Sequence, residues 1–268
     1  MTQAPADGPR LSIVTICFRN PDELRRTLAT LDGLPPHVEL LVIDGSPDAR
    51  CAEVARTFPA VRHFQQPDDG KYDAMNKGIA AARGDGLLFL NSGDELAAIP
   101  NLVRLLRRHG DALASTIVYG DCIHRADQRD VVIPAPAPLG ENLRLGRLPS
   151  HQSTIIPRRY HLDHRYDASM FFTADTCFLK QAYRALPAIH FPEVIGVFHH
   201  GGASTSPGSI ALLLRQYREL SRAHEMSWPE RLSTAVLLAR RKLLHLAIGE
   251  ARLQRLQAWR LGRRQARG

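Results

Sequence analysis

The chain has few of the features that mark a secreted, membrane-spanning or nucleotide-loop protein. Its four cysteines, Cys17, Cys51, Cys122 and Cys177, are far apart and form no CxxC pair. That spacing excludes a disulfide framework and a thiolate zinc site as expectations and leaves four reduced, mostly buried thiols. No apolar run reaches the roughly eighteen residues a membrane-spanning helix needs. The lead MTQAPADGPR lacks the apolar core of a secretory signal, so the chain is expected to stay in the cytoplasm. There is no low-complexity block and no internal repeat. No glycine-rich loop follows the first apolar run, which argues against a dinucleotide or ATP enzyme of the Rossmann or P-loop type. Residues 1–230 also lack a charge excess. From Arg231 to Gly268 there are ten Lys or Arg and one acidic residue, so of the chain's 35 basic and 27 acidic residues, 25 and 26 lie before it. The sequence pI near 9.7 therefore describes a basic extension, and no nucleic-acid partner is expected.

With 268 residues, 44% of them hydrophobic and 23% charged, the chain can bury a full core as one main domain. Residues 11–17, LSIVTIC, read as a central strand. Asn20, Pro21 and Glu23 mark a helix start through an N-cap, a first-turn proline and a capping box. VELLVI at 38–43 reads as a second buried strand with Asp44 at its carboxyl end, followed by a helix from near Pro47. Residues 61–64 form a short third strand leading into Asp68 and Gly70. The alternation predicts a parallel sheet with helices on both faces, which brings residues 15–20, Asp44 and Asp68 to one edge. In such sheets ligands bind beyond the carboxyl ends of the strands.

The most informative stretch is 68–95, DDGKYDAMNKGIAAARGDGLLFLNSGDE. Met75, Ile79 and Ala82 fall at helical spacing and Gly84 is read as a left-handed stop. GLLFL is a buried strand, and Asp94 and Glu95 lie just past it. As a bare pattern NSGD is a good turn. Together, DGKYDAMNKGI and FLNSGDE resemble family 2 glycosyltransferases, inverting nucleotide-sugar transferases of the GT-A fold. The resemblance covers residues 11–205. It implies an α/β, Rossmann-like, mixed and mainly parallel sheet flanked by helices. It also implies a divalent cation, Mn²⁺ or Mg²⁺, on the sugar diphosphate. Asn91 and Gly93 stand where the family more commonly has carboxylates, leaving Asp94 as the metal contact and Asn91 for the ribose or diphosphate. By the same resemblance Thr15, Asn20, Asp44, Asp68, Gly70 and Asn76 face the nucleotide-sugar, although each aspartate taken alone reads as a loop or cap residue.

Beyond a hairpin expected from 115–123 and 130–133, PAPAP at 134–138 marks the crossing from a nucleotide half, 11–133, to an acceptor half, 139–206. In SHQSTIIPRRY, His151 and Gln152 resemble the acceptor-side segment of the family, and a local hydrogen bond is an equal reading for His151. FFTADTCFLKQAYRAL ends in a helix, and Asp175 near its start stands where the resemblance places the catalytic base, with Asp167 as the nearest rival. An N-cap role alone is the other reading of Asp175. The strand ending PEVIGVFHH runs into Gly201 and Gly202, like the loop that closes over the donor, and of His199 and His200 at its edge, which point to opposite faces of an extended chain, at most one could join Asp94 on the cation. Residues 207–268 form the basic extension. There Leu232, Val236, Ala239, Leu243 and Leu246 share a helical face beside Arg240, Arg241 and Lys242, a pattern suited to an anionic membrane surface or to packing on protein. The expected activity is sugar transfer from a UDP- or GDP-sugar to a saccharide or lipid-linked acceptor in cell-surface polysaccharide synthesis. A silent nucleotide-binding relative and a membrane-surface scaffold are the alternatives.

Overall fold

The computed structural model describes residues 10–126, 129–200 and 210–223, together with Trp228, Pro229, Arg231, Leu232, Val236 and Ala239. They divide into two compact units, one within 1–136 and 148–199, the other within 137–147 and 200–268.

The first unit carries one continuous sheet. Strands β1 (Leu11–Cys17), β2 (Val38–Asp44), β3 (Val61–Gln65) and β4 (Gly86–Phe89) alternate with helices α1 (Pro21–Ala29), α2 (Arg50–Arg56) and α3 (Lys71–Ala81). All three pairings among these strands are parallel, in the order β3-β2-β1-β4. Leu11, Ile13 and Val14 of β1 and Leu41, Val42 and Ile43 of β2 are fully buried. A central strand covered on both faces needs such an unbroken apolar run, and each side chain of this kind contributes about 1.5–3 kcal/mol on burial.

Past β4 the sheet becomes mixed. The two-residue β5 (Glu95–Leu96) and helix α4 (Ile99–His109) precede the hairpin of β6 (Ile117–Ala126) and β7 (Arg129–Ile133). Helix α5 (Leu139–Arg144) belongs to the second unit. Strand β8 (Thr154–Pro157) then inserts antiparallel between β4 and β6, and α6 (Arg158–Asp163), α7 (Ala174–Ala185) and β9 (Ala188–His199) follow. β9 runs parallel to β6 and antiparallel to β5. The apolar triplet of STIIP is thus the strand that joins the early parallel sheet to the later one.

Three local expectations are corrected. Gly84 is not left-handed. Helix α3 ends at Ala81 with Ala82 extended, and Gly84 is required because an added Cβ would lie 2.6 Å from the backbone of Leu11 and Ser12. Helix α2 starts at Arg50 rather than near Pro47, since Asp48 is spent on a turn whose carboxylate accepts the Arg50 N–H at 3.1 Å. Asn20 holds the N-cap position of α1 but makes no capping bond with its side chain, which instead accepts the Phe18 N–H at 3.1 Å.

In the second unit, α8 (Ile210–Arg222) is the last extended helix described. Leu232, Val236 and Ala239 are helical, with Trp228, Leu232 and Val236 exposed. Gly201 and Gly202, Leu243 and Leu246 and the rest of the proposed basic stripe lie outside the described residues. Among the described residues no helix is long and apolar enough to cross a membrane.

Candidate active site

The loop after β4 is held from below by α1. Thr27, fully buried on α1, accepts the Gly93 N–H at 2.9 Å and donates to the Asp94 carbonyl at 2.7 Å. Thr30 accepts the Leu96 N–H at 3.1 Å. Gly93 sits at φ +105°, a conformation that strains any residue with a Cβ. The glycine in place of a carboxylate is therefore part of the loop's backbone design.

Asp94 is 6% exposed. Its Oδ2 accepts from Gln152 Nε2 at 3.3 Å and from the Asn91 N–H at 3.2 Å, and the His199 N–H also bears on the carboxyl. Burial outweighs these donors and pushes its pKa up to about 7. Next to it, Asn91 Oδ1 and Ser92 Oγ are buried without a partner. Buried polar atoms are normally bonded, so an unmet acceptor beside a carboxylate points to something that binds there. Glu95 faces away from that role. Its oxygens are taken by His199 Nε2 at 2.7 Å and Arg125 Nη1 at 2.8 Å. His199 is accordingly committed to Glu95 through its ring, and only its backbone reaches Asp94. These residues fit a hard cation held by one carboxylate and completed by phosphate oxygens, as Mg²⁺ commonly is, rather than an all-protein cage. Among the described residues the one group of three His, Cys, Asp or Glu side chains near enough to share an ion is Cys17, Asp44 and Cys51, which is sealed in the core.

At the donor edge the expected residues divide. Asp44 is fully buried. Its carboxylate accepts the Ser46 N–H at 2.9 Å and faces His63 Nε2 at 3.2 Å, so its charge is spent inside the fold. Thr15 is also fully buried with its hydroxyl unpartnered, in register with Val42. Asn76 ties α3 to the chain at Tyr166: its amide donates to the Tyr166 carbonyl at 2.9 Å and accepts the Tyr166 N–H at 3.0 Å. Asp68 remains available at the edge, packed on Gly45 so closely that an added Cβ would lie 1.9 Å from its Oδ2. Its other oxygen accepts the Gly70 N–H at 3.0 Å, and Gly70 at φ +112° opens α3. Phe18, 56% exposed after β1, offers an apolar face that periodicity did not single out.

Asp175 is the second residue of α7 and is partly exposed. Thr173, not Asp175, holds the N-cap position. Asp175 Oδ1 accepts from the Tyr72 hydroxyl at 3.1 Å and from the Thr176 N–H at 2.7 Å. The rival Asp167 closes a local turn, taking the Ser169 N–H at 2.9 Å and its hydroxyl at 2.6 Å. His151 Nε2 pairs with the Tyr166 hydroxyl at 2.9 Å and its ring stacks on Phe89 with centroids 5.5 Å apart. Burial lowers its pKa, opposed by the Asp175 charge. Gln152 turns to Asp94, so the adjacent pair His151 and Gln152 ties the two carboxylate regions together. Gly196 permits this, since a Cβ there would lie 2.2 Å from the Gln152 carbonyl oxygen. Tyr72 and Thr27 were missed because an aromatic and a threonine on helix faces read as core.

Among similar proteins, an uncharacterized glycosyltransferase of Mycobacterium tuberculosis is 40% identical over 100 residues, 36% of this chain and 38% of its own length. A PGL/p-HBAD biosynthesis glycosyltransferase of the same organism is 35% identical over 94 residues, 33% of this chain and 36% of its own. The aligned stretches thus span well under half of either relative. Staphylococcus aureus TarS, residues 1–349, superposes with a TM-score of 0.58 at 16% identity, covering 89% of this chain and 72% of that one. A mannosyltransferase of Pyrobaculum calidifontis, solved with GDP-Man and Mn²⁺, gives 0.59 at 16% identity over 97% and 84%. The fold is the mixed α/β sheet with flanking helices of GT-A glycosyltransferases. The family model for glycosyl transferase family 2 matches residues 12–183, and the chain belongs to that family.

Proposed function

We propose that the chain transfers a sugar from a nucleotide-sugar, a UDP- or GDP-sugar, to a saccharide or lipid-linked acceptor by single displacement with inversion. The observation that carries this reading is the pairing of two carboxylate regions through His151 and Gln152. Asp94 lies beside unmet oxygen ligands and Asp175 stands at a helix start with one oxygen left open. Asp175 takes the proton of the acceptor hydroxyl while that oxygen bonds to C1 and the bond from C1 to the diphosphate breaks. A bound Mg²⁺ or Mn²⁺ would offset the charge gathering on the leaving diphosphate. Asp94 and Asn91 Oδ1 are the groups that would hold the ion, with diphosphate oxygens completing its shell. Asp68 and the exposed Phe18 supply a polar and an apolar contact for the nucleoside. The chain matches only part of its relatives, and the one named for PGL/p-HBAD biosynthesis supports the acceptor class by analogy alone.

The purified chain, given UDP- and GDP-sugars with Mn²⁺ or Mg²⁺, is expected to release nucleoside diphosphate and to form product of inverted anomeric configuration, read by proton NMR. A product that keeps the donor's configuration would overturn the single displacement. The membrane reading of 207–268 is supported by the exposed Trp228, Leu232 and Val236 beside a strongly basic sequence. Deleting residues 229–268 should abolish co-sedimentation with anionic vesicles, and unchanged sedimentation would return the extension to protein packing.

A further inference from the structure

Helix α7 opens without a cap of its own. Thr173 occupies the N-cap position and makes no side-chain capping bond, although the first turn of any helix leaves N–H groups that need partners. Those partners come from α3. The Tyr72 hydroxyl donates to Asp175 Oδ1 at 3.1 Å across 103 residues of sequence, and the backbone N–H groups of Asp175 and Ala174 bear on the same hydroxyl oxygen. The Thr176 N–H donates to Oδ1 as well, at 2.7 Å. With the Thr176 hydroxyl at 3.5 Å, three donors therefore converge on one oxygen of Asp175, and among the described residues none meets Oδ2.

Tyr72 is itself rigidly placed. It is 2% exposed, its ring stacks on Tyr166 with centroids 5.9 Å apart, and the Tyr166 hydroxyl is bonded to His151. The Lys71 ammonium lies 4.5 Å from the centroid of the Tyr72 ring. Burial first, and the Asp175 charge second, push the phenol's pKa up, so it keeps its proton and stays a donor. An ordered, permanently protonated hydroxyl aimed at one carboxylate oxygen does more than fill the core.

We propose that Tyr72 is a positioning residue for the transfer, holding Asp175 by Oδ1 and closing the start of α7 so that Oδ2 is the oxygen presented to the acceptor hydroxyl. The proposal rests on Asp175 being the general base. Without the hydroxyl, Asp175 would be a poorly aimed base. The donor contacts at Asp68 and Asp94 would be untouched.

The test is Tyr72→Phe in the full chain, with two readouts. In steady-state kinetics kcat should fall about 10- to 100-fold, the effect of losing a hydrogen bond to a charged group. The donor KM should stay unchanged. In a double-mutant cycle, adding Tyr72→Phe to Asp175→Asn should cost no further rate, because the hydroxyl acts through that carboxylate. Unchanged kcat in Tyr72→Phe, or an undiminished further loss in the Asp175→Asn background, overturns the proposal, since an independent loss would mark a structural role. Asp175→Asn tests the underlying reading separately: turnover near the wild-type rate would remove Asp175 as base and with it any positioning by Tyr72. If Tyr72→Phe does not fold, 3-fluorotyrosine at position 72, a stronger donor of nearly the same shape, should change kcat in the wild-type chain and not in Asp175→Asn. The same change in both, or in neither, would sink the idea.

Discussion

Asp94 sits in the loop after β4, 6% exposed, with its carboxyl pushed up to about 7 by burial. Asp175 stands partly exposed at the opening of α7, with a phenol and an amide on one oxygen. Both are single carboxylates that the proposed transfer places in one site, and their surroundings differ. A carboxyl that is costly to ionise when alone waits for a counter-charge, as a cation ligand does. A carboxylate held by donors at a helix start suits the role proposed for Asp175. The difference lies in what each side chain is packed against, for the two residue types are identical.

The sharpest way to break this contrast is Asp175→Asn, which keeps the shape and removes the basic oxygen. Transfer should fall by roughly 10²- to 10⁴-fold, with donor affinity and melting temperature unchanged. Calorimetry with donor and Mn²⁺ would check the affinity, and a joint loss of affinity would make Asp175 a donor ligand instead.

The second test concerns the other carboxylate. The folded pKa of Asp94 lies above the value of 3.8 for a free aspartate, at about 7. The folded state therefore holds a proton that the unfolded chain releases, and stability falls as pH rises from about 4 to about 7, by up to about 1.4 kcal/mol per unit. Asp94→Asn should remove that slope, so the variant gains on the wild type across this window, by about 2–4 kcal/mol at pH 7. Denaturant unfolding at several pH values without added metal measures it. The same variant should lose metal-dependent donor binding. In the wild type, that binding should weaken as pH falls below about 7, because ion and proton compete for the carboxyl. Parallel unfolding curves for wild type and variant would show Asp94 ionised at ordinary cost and erase the contrast.

Gly45→Ala asks whether the donor edge works through Asp68. The new Cβ would displace an oxygen found 1.9 Å away, and nucleotide affinity should drop about tenfold, the scale of one lost polar contact. Equal affinity in isothermal titration would take Asp68 out of the site.

The smallest effect is expected at His161, which is 1% exposed with neither ring nitrogen bonded and stacked on Phe178 at 4.6 Å between centroids. Burial holds its pKa well below 6.5. The unfolded chain therefore binds a proton below that pH that the fold refuses, and stability is lost as pH drops through 6.5. His161→Phe should gain about 1 kcal/mol at pH 7 by removing unmet polar atoms, and more at pH 5. A loss of stability in thermal melts would show an unseen partner for the ring.

Much of the fold was legible because the early strands carry it in their residues: LSIVTIC and VELLVID are mostly apolar and rich in β-branched residues on both faces, as a strand buried on both faces asks. The YDAMNKGI helix, the loop after GLLFL and the acidic residue opening α7 were legible as a resemblance, since they are local strings. The contacts were not. That Asp44 turns inward onto Ser46 and His63, that Asn76 staples Tyr166 and that Gln152 reaches Asp94 are pairings across 2 to 90 residues of chain, and no periodicity records which way a polar side chain turns. Residue types and their order decided that strands deliver carboxylates to one edge, because hydrophobic pattern and turn chemistry act locally. Which carboxylate is starved of solvent and which hydroxyl takes hold of Asp175 were decided only when β8 inserted between β4 and β6 and α3 met α7, since desolvation and hydrogen bonding depend on neighbours that sequence distance hides.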